Sequence, residues 1–202
     1  MNGRKKGTFW MAGGLLLLVT ALFLTLYNLR EASRAEEESA EAVAQLVEEI
    51  IGNKESEDTS KLNYQEFPEK EMPTAEIDGY RYIGILEIPQ LDLTLPVMAA
   101  EWNYDKLSKA PCLYSGSVYQ DNAVIVAHNY VSHFGNLTRL SVGDEVYFTD
   151  VDGNTFTYET GWMETLNANE VDAMCSGEDW DLTLYTCNYS GRQRYTVRCI
   201  KR

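Results

Sequence analysis

Thr183-Leu184-Tyr185-Thr186-Cys187 is a β-branched and aromatic run that ends on a thiol, and the small polar segment Asn188-Tyr189-Ser190-Gly191 comes directly after it. The run reads as a strand and the segment after it as a turn. The cysteine therefore stands at the mouth of a strand, not within a core. A second apolar run, Ala123-Val124-Ile125-Val126-Ala127, ends on His128, and Arg194 opens the last strand. A cysteine, a histidine and an arginine at strand ends have the makings of an acyl-transfer site.

Elsewhere in the chain, Tyr80–Ile88 and Leu91–Val97 read as strands separated by Pro89-Gln90, and Ala99–Leu107 as a short helix. Glu145–Asp150 and Thr155–Thr160 flank Val151-Asp152-Gly153-Asn154, a hairpin turn in which Asp-Gly tolerates positive φ. Leu182–Cys187 and Tyr195–Ile200 complete the set. Many short strands without βαβ alternation give an all-β sandwich or barrel. Asp150-Val151-Asp152-Gly153-Asn154 resembles the start of a calcium loop but lacks its later glutamate, so a plain turn is expected, with no metal and no cofactor.

The 202 residues carry a net charge of −14, which excludes nucleic acid as a partner. Residues 1–30 hold Arg4, Lys5, Lys6 and Arg30 and no acid, a balance of +4, so the remainder carries −18. No charge interrupts Thr8 to Leu29, long enough to span a bilayer. The positive-inside rule puts the N-terminus in the cytoplasm and the acidic remainder outside a cell membrane crossed once. A cleaved signal peptide fits less well, because its apolar region would be shorter and Tyr27-Asn28-Leu29-Arg30-Glu31 is a poor cleavage context. The expected organisation is a cytoplasmic tail over 1–7, an anchor over 8–29, a helical acidic stalk over 30–52, a linker over 53–78 and a β-domain over 79–202. In the stalk, Val43, Leu46, Val47 and Ile50 fall at helical spacing, more readily packed on the domain itself than on a partner helix.

Strand alternation sharpens the chemistry. On one strand Leu182 and Leu184 share a face opposite Thr183, Tyr185 and Cys187; on the next, Tyr195, Val197 and Cys199 lie opposite Arg194, Thr196 and Arg198. If the apolar sets face the core and the strands pair, Cys187 and Arg194 share an exposed groove and Cys199 is a buried, inert thiol. Cys187 then serves as nucleophile, His128 as proton donor to a departing amine, and Arg194 as stabiliser of the oxyanion. Cys112 and Cys175 read as core residues or stay undecided, and His133 as positional or surface. Without Cys-x-x-Cys a zinc site is not expected, and the thiols are expected to be free.

The Thr-Leu-x-Thr-Cys run at 183–187 resembles the signature of the sortases, cysteine transpeptidases of Gram-positive cell surfaces. The likeness runs from about Tyr82 to Ile200. Ile88-Pro89 followed by Leu95-Pro96-Val97 is similar to the family's first-hairpin signature. Tyr114-Ser115-Gly116-Ser117 and Val124–Asn129 resemble the approach to its catalytic histidine, with Ala127 where many members have glycine. Phe134-Gly135-Asn136-Leu137 and Gly143-Asp144-Glu145-Val146-Tyr147 match the family's segment on the C-terminal side of that histidine. The resemblance implies a closed eight-stranded β-barrel with short helices, catalytic Cys187, His128 and Arg194, and substrate contacts at Thr186, Leu95 and Pro96. Arg192, two residues from Arg194, lies in the turn and is the weaker candidate.

The implied reaction is cleavage of a Leu-Pro-x-Thr-Gly-like C-terminal sorting signal on a surface protein, through a Cys187 thioester. The acyl group then passes to an amine, from a lipid-linked peptidoglycan precursor or a pilin lysine. The resemblance leaves the class open. A single N-terminal anchor with no C-terminal span suits housekeeping or class B-like sortases better than typical pilin-polymerising ones, while the short segment between Gly161 and Trp180 lacks room for a long class B helix. Two alternatives compete: a catalytically silent surface module that binds peptide, and a thiol protease that only hydrolyses.

Overall fold

The computed structural model describes residues 3–55, 64–99, 102–177, 179–188 and 190–202. The expected cytoplasmic tail begins in residues 1–2 and the expected linker passes through 56–63, both outside the described residues. The strands are β1 (Ala75–Ile77), β2 (Tyr80–Ile88), β3 (Leu93–Met98), β4 (Cys112–Ser115), β5 (Ala123–Ala127), β6 (Glu145–Asp150), β7 (Thr155–Asn167), β8 (Leu182–Cys187) and β9 (Gln193–Lys201). The helices are α1 (Gly3–Glu55), α2 (Tyr104–Lys109) and α3 (Val171–Cys175).

The strands run in the order β1-β2-β3-β4-β5-β8-β9-β7-β6, and β6 pairs back onto β2. That last pairing closes an eight-stranded barrel, with β1 as a short addition on the first residues of β2. Closure leaves no long unpaired edge. It also needs a bulge in β2, where the register to β3 shifts between Tyr82 and Gly84. Gly84 has φ +155, and a Cβ there would fall 2.1 Å from the Thr149 carbonyl oxygen of β6. The backbones approach too closely for any side chain.

Alternation decides what fills the barrel. Leu86, Ile88, Val97, Ile125, Phe148, Tyr158, Leu184, Val197 and Cys199 point inward and are buried. The outer faces of β4, β5 and β8 are also covered. Cys112, Val124, Val126 and Tyr185 pack in a second apolar layer with Leu107 of α2, Met174 of α3, Trp180, and Leu46 and Ile50 of α1. Two covered faces explain why β5 is an unbroken apolar run.

β7 continues seven residues past its expected end at Thr160, reaching Asn167. Its register to β9 shifts between Thr160 and Trp162, so Gly161 marks a bulge inside one strand. Strand structure also starts before Gly79, because β1 buries Ala75 and Ile77.

Ala- and Glu-rich composition keeps α1 helical without a break from the apolar stretch through the stalk. The buried residues Ala35, Ser39, Ala42, Leu46 and Ile50 recur every three or four positions and lie against the barrel. Val43 is half-buried and Val47 is exposed, so the apolar face is narrower than the four stalk positions imply. Small Ala35, Ser39 and Ala42 allow close approach, and Leu46 in full burial contributes about 2 kcal/mol. Glu38 pairs with Lys109 at 2.8 Å, and Asn53 Nδ2 donates to the Val151 carbonyl at 3.1 Å, so the C-terminal half of α1 is fixed to the domain.

Candidate active site

Two neighbouring parallel strands build the site. β5 and β8 pair with Ala127 beside Thr186, so the next residues, His128 and Cys187, emerge together at one rim of the barrel. β9 returns antiparallel with Arg194 opposite Cys187. Residues far apart in sequence thus converge because three strands end, or begin, at the same level. Below them the Thr186 hydroxyl donates to the Ala127 carbonyl at 2.9 Å, tying β8 to β5 directly under the thiol and the imidazole.

Cys187, His128 and Arg194 line one cavity of about 220 Å³. Its far wall is aromatic. Trp102 packs on Tyr104 (6.2 Å) and on Tyr114 (6.0 Å), and Tyr114 meets Tyr185 edge-on at 5.6 Å. Val171 and Met174 of α3 form another side, and Glu170 contributes a carboxylate. Such a cavity suits an apolar segment of peptide delivered to a thiol.

His128 is half-buried, and its ring stacks on Tyr130 at 4.9 Å. Burial holds its pKa below the ordinary histidine value, and the negative charge of Glu31 on α1 partly opposes the shift. The loop carrying it is tight: Phe134 N–H donates to the His128 carbonyl at 3.1 Å, and Gly135 N–H to the Tyr130 carbonyl at 2.8 Å. Arg194 Nη1 donates to the carbonyls of Gly191 and Gln193, at 2.9 and 3.3 Å. Those bonds park the guanidinium at the β8–β9 turn beside the cavity. Arg192 is exposed in the turn and does not line the cavity.

The other expected contact residues lie elsewhere. Leu95 faces the barrel interior and Pro96 is buried in β3, while the Thr186 side chain is occupied with Ala127. None of the three lines the cavity. All four cysteines are free. Cys112 and Cys199 are buried, and burial pushes both thiols up, Cys112 to about 12. His133 is not a surface residue. It is 0% exposed between α1 and the barrel, with Nε2 3.3 Å from Ser39 Oγ. Ser39 gives its own proton to the Lys109 carbonyl at 2.7 Å, which assigns the His133 proton to Nε2. Asp150 in the β6–β7 turn is saturated by Tyr119 Oη, Asn154 N–H and Asn154 Nδ2 at 2.6, 2.8 and 2.8 Å. That carboxylate serves a turn, and no cluster of three metal-ligating side chains exists among the described residues.

The face of β8 and β9 that carries Cys187 is not an open groove throughout. Thr183, Thr196 and Arg198 are buried under α3. Arg198 bonds Glu164 at 2.8 Å, Thr183 Oγ1 at 2.7 Å, and the Met174 and Ala173 carbonyls at 2.9 and 2.6 Å. It also stacks over Trp180 at 4.8 Å. A guanidinium with this many partners offsets its desolvation and clamps α3 beside the cavity.

A model of the sortase domain matches residues 86–202, more than half of the chain. The chain belongs to the sortase family. Its fold is similar to a sortase D5 transpeptidase of Clostridium perfringens, at 17% identity over 82% of this chain and 99% of that one, with a TM-score of 0.61. A Streptococcus suis sortase C1 is 25% identical over 60% of this chain and 73% of that one, with a TM-score of 0.52. A Clostridium perfringens sortase C, solved with the C-terminal cell wall sorting motif, is 21% identical over 80% and 90% of the two chains, with a TM-score of 0.54. Among curated proteins none matches this sortase. Family membership supports a transpeptidase-type activity. The helix before the domain carries an apolar window of mean hydropathy 2.2, none of it buried on the barrel, and is a candidate membrane anchor.

Proposed function

We propose that this sortase is a membrane-anchored cysteine transpeptidase that cleaves a Leu-Pro-x-Thr-Gly-like sorting signal and passes the acyl group to an amine. The carrying observation is the strand register, which sets His128 next to Cys187 and Arg194 opposite it at the rim of one apolar cavity.

In this reading the Cys187 thiolate attacks the scissile carbonyl carbon. The carbonyl π pair moves onto oxygen, and Arg194 turns from the Gly191 carbonyl to stabilise that charge. When the oxyanion collapses, the C–N bond breaks, His128 protonates the leaving amine, and a thioester remains on Cys187. An incoming amine attacks the thioester, the C–S bond breaks, and His128 takes the excess proton. The partners implied are surface proteins with a C-terminal sorting signal and a lipid-linked peptidoglycan precursor or pilin lysine.

The test is intact-product mass spectrometry on the full chain in detergent, with a sorting-signal peptide library and an amine acceptor. An amide between peptide and acceptor supports the proposal. Hydrolysed peptide alone, at any acceptor concentration, would leave a thiol protease, and no cleavage at all would leave a peptide-binding module.

A further inference from the structure

The loop that carries His128 does more than present an imidazole. Ser132 Oγ donates to the Ala32 carbonyl of α1 at 3.4 Å, and His133 Nε2 sits 3.3 Å from Ser39 Oγ of the same helix. Tyr130 lies between His128 and His133, with ring centroids 4.9 and 5.6 Å from theirs. The loop is therefore set against α1 from Ala32 to Ser39, starting three residues beyond Leu29, where the uncharged stretch ends.

The helix converts this contact into a height. At 1.5 Å per residue, Ala32 is about 5 Å along the axis from Leu29. At the far end of the domain, Asn53 holds the β6–β7 turn through the Val151 carbonyl, and Asn53 is about 30 Å beyond Ala32. If the apolar stretch spans a bilayer, the catalytic rim faces the lipid and the β6–β7 turn points away. At the membrane-facing level Val131 is 71% exposed, an apolar side chain next to Ser132, which is bonded to α1. Beside it stands Tyr130, a residue type enriched at bilayer interfaces. Arg30, next after Leu29, is placed to meet lipid headgroups.

We infer that the loop 129–132 seats on the lipid surface through Val131 and Tyr130, so that the cavity holding Cys187 opens at the bilayer interface. This surface rests on the reading of the N-terminal half of α1 as a membrane span. It makes the barrel a body with two contacts to the membrane, the helix and this loop, and fixes how the domain is tilted.

The full chain would be reconstituted into nanodiscs of phosphatidylcholine and phosphatidylglycerol with Val131 replaced by the photo-crosslinking residue p-benzoylphenylalanine. The same replacement at exposed Thr155, beside the β6–β7 turn, is the companion. After irradiation, peptide mass spectrometry reads lipid adducts. A lipid adduct at position 131 at least tenfold above that at 155 is expected. A chain that joins the discs but gives no adduct at 131, or equal adducts at both positions, overturns the loop seat alone. A chain that does not migrate with the discs overturns the span and the loop seat with it. Neither readout depends on transpeptidation, so failure of the proposed activity would leave both standing or falling on their own.

Discussion

The rim of the barrel and its buried regions each hold one cysteine and one histidine that can be compared directly. At the rim stand Cys187 and His128, half-buried and facing a cavity. Out of water stand Cys199, inside the barrel, and His133, under α1, both 0% exposed. The residue types are identical, and β8 and β9, which carry the two thiols, are hydrogen-bonded neighbours. Burial makes Cys199 a small apolar filler whose thiol does not ionise near neutral pH, and is the main cause that keeps His133 a neutral hydrogen-bond donor. Chemistry survives where a strand ends, because only there can a side chain be held by the sheet and still meet a substrate.

The comparison breaks most visibly if the wrong thiol matters. Cys187→Ala should abolish transpeptidation, read as loss of amide product, while Cys199→Ser should keep turnover. The second variant should instead lose on the order of 1–3 kcal/mol of stability in a denaturant melt, because a hydroxyl is less content than a thiol in an apolar interior. The histidines should divide likewise. His128→Gln should lower kcat about 10²- to 10⁴-fold, as loss of a general acid does, and His133→Gln should leave kcat within a few-fold of wild type.

A smaller effect probes what holds the cavity wall. Arg198→Met removes the clamp on α3 without touching the rim residues. KM for the donor peptide should rise about tenfold, with kcat changing much less, as expected when a binding wall loosens. Alkylation of Cys187 by a small thiol reagent should keep its wild-type rate. A fall in kcat at unchanged KM would mean that Arg198 acts on the reaction itself.

The last effect is a stability profile rather than a change in turnover. Burial, with the nearby His128 charge, holds His133 down at about 4 from an ordinary 6.5. Between these values the unfolded chain binds a proton that the fold does not. Stability is therefore full above about pH 6.5 and falls as pH drops toward 4, by on the order of 3 kcal/mol at most. His133→Gln should flatten that slope in melts taken across the window. An equal slope in both proteins would show that His133 does not carry it.

Much of this molecule is legible in its sequence. The run at 182–187 is a strand with the same bounds, the expected strand Ala123–His128 stops one residue earlier at Ala127, and alternation along β8 and β9 puts Cys199 inside and Cys187 opposite Arg194. Two features are not legible, for different reasons. Gly161 looks like a strand end because a bulge and a terminus use the same residue, and only the β9 partner shows that pairing continues. Arg198 looks like an exposed strand residue because alternation says which side of a sheet a residue takes, not whether another layer covers that side. The aromatic wall of Trp102, Tyr114 and Tyr185 comes from three separate segments and carries no local signal. The stalk shows a helical apolar pattern, but its small residues Ala35, Ser39 and Ala42 hide how closely it packs. A domain cut at residue 53 would lose Leu46 and Ile50 from the outer layer, so the full chain is the unit to study.

The most direct test of the rim's role is to locate the acyl group. The full chain would be quenched in acid during turnover of a sorting-signal peptide, digested, and mapped by tandem mass spectrometry. A thioester is expected on the peptide that contains Cys187, and on no peptide containing Cys112, Cys175 or Cys199. A thioester on any other cysteine, or undiminished product formation by Cys187→Ala, would contradict the role of Cys187 as nucleophile.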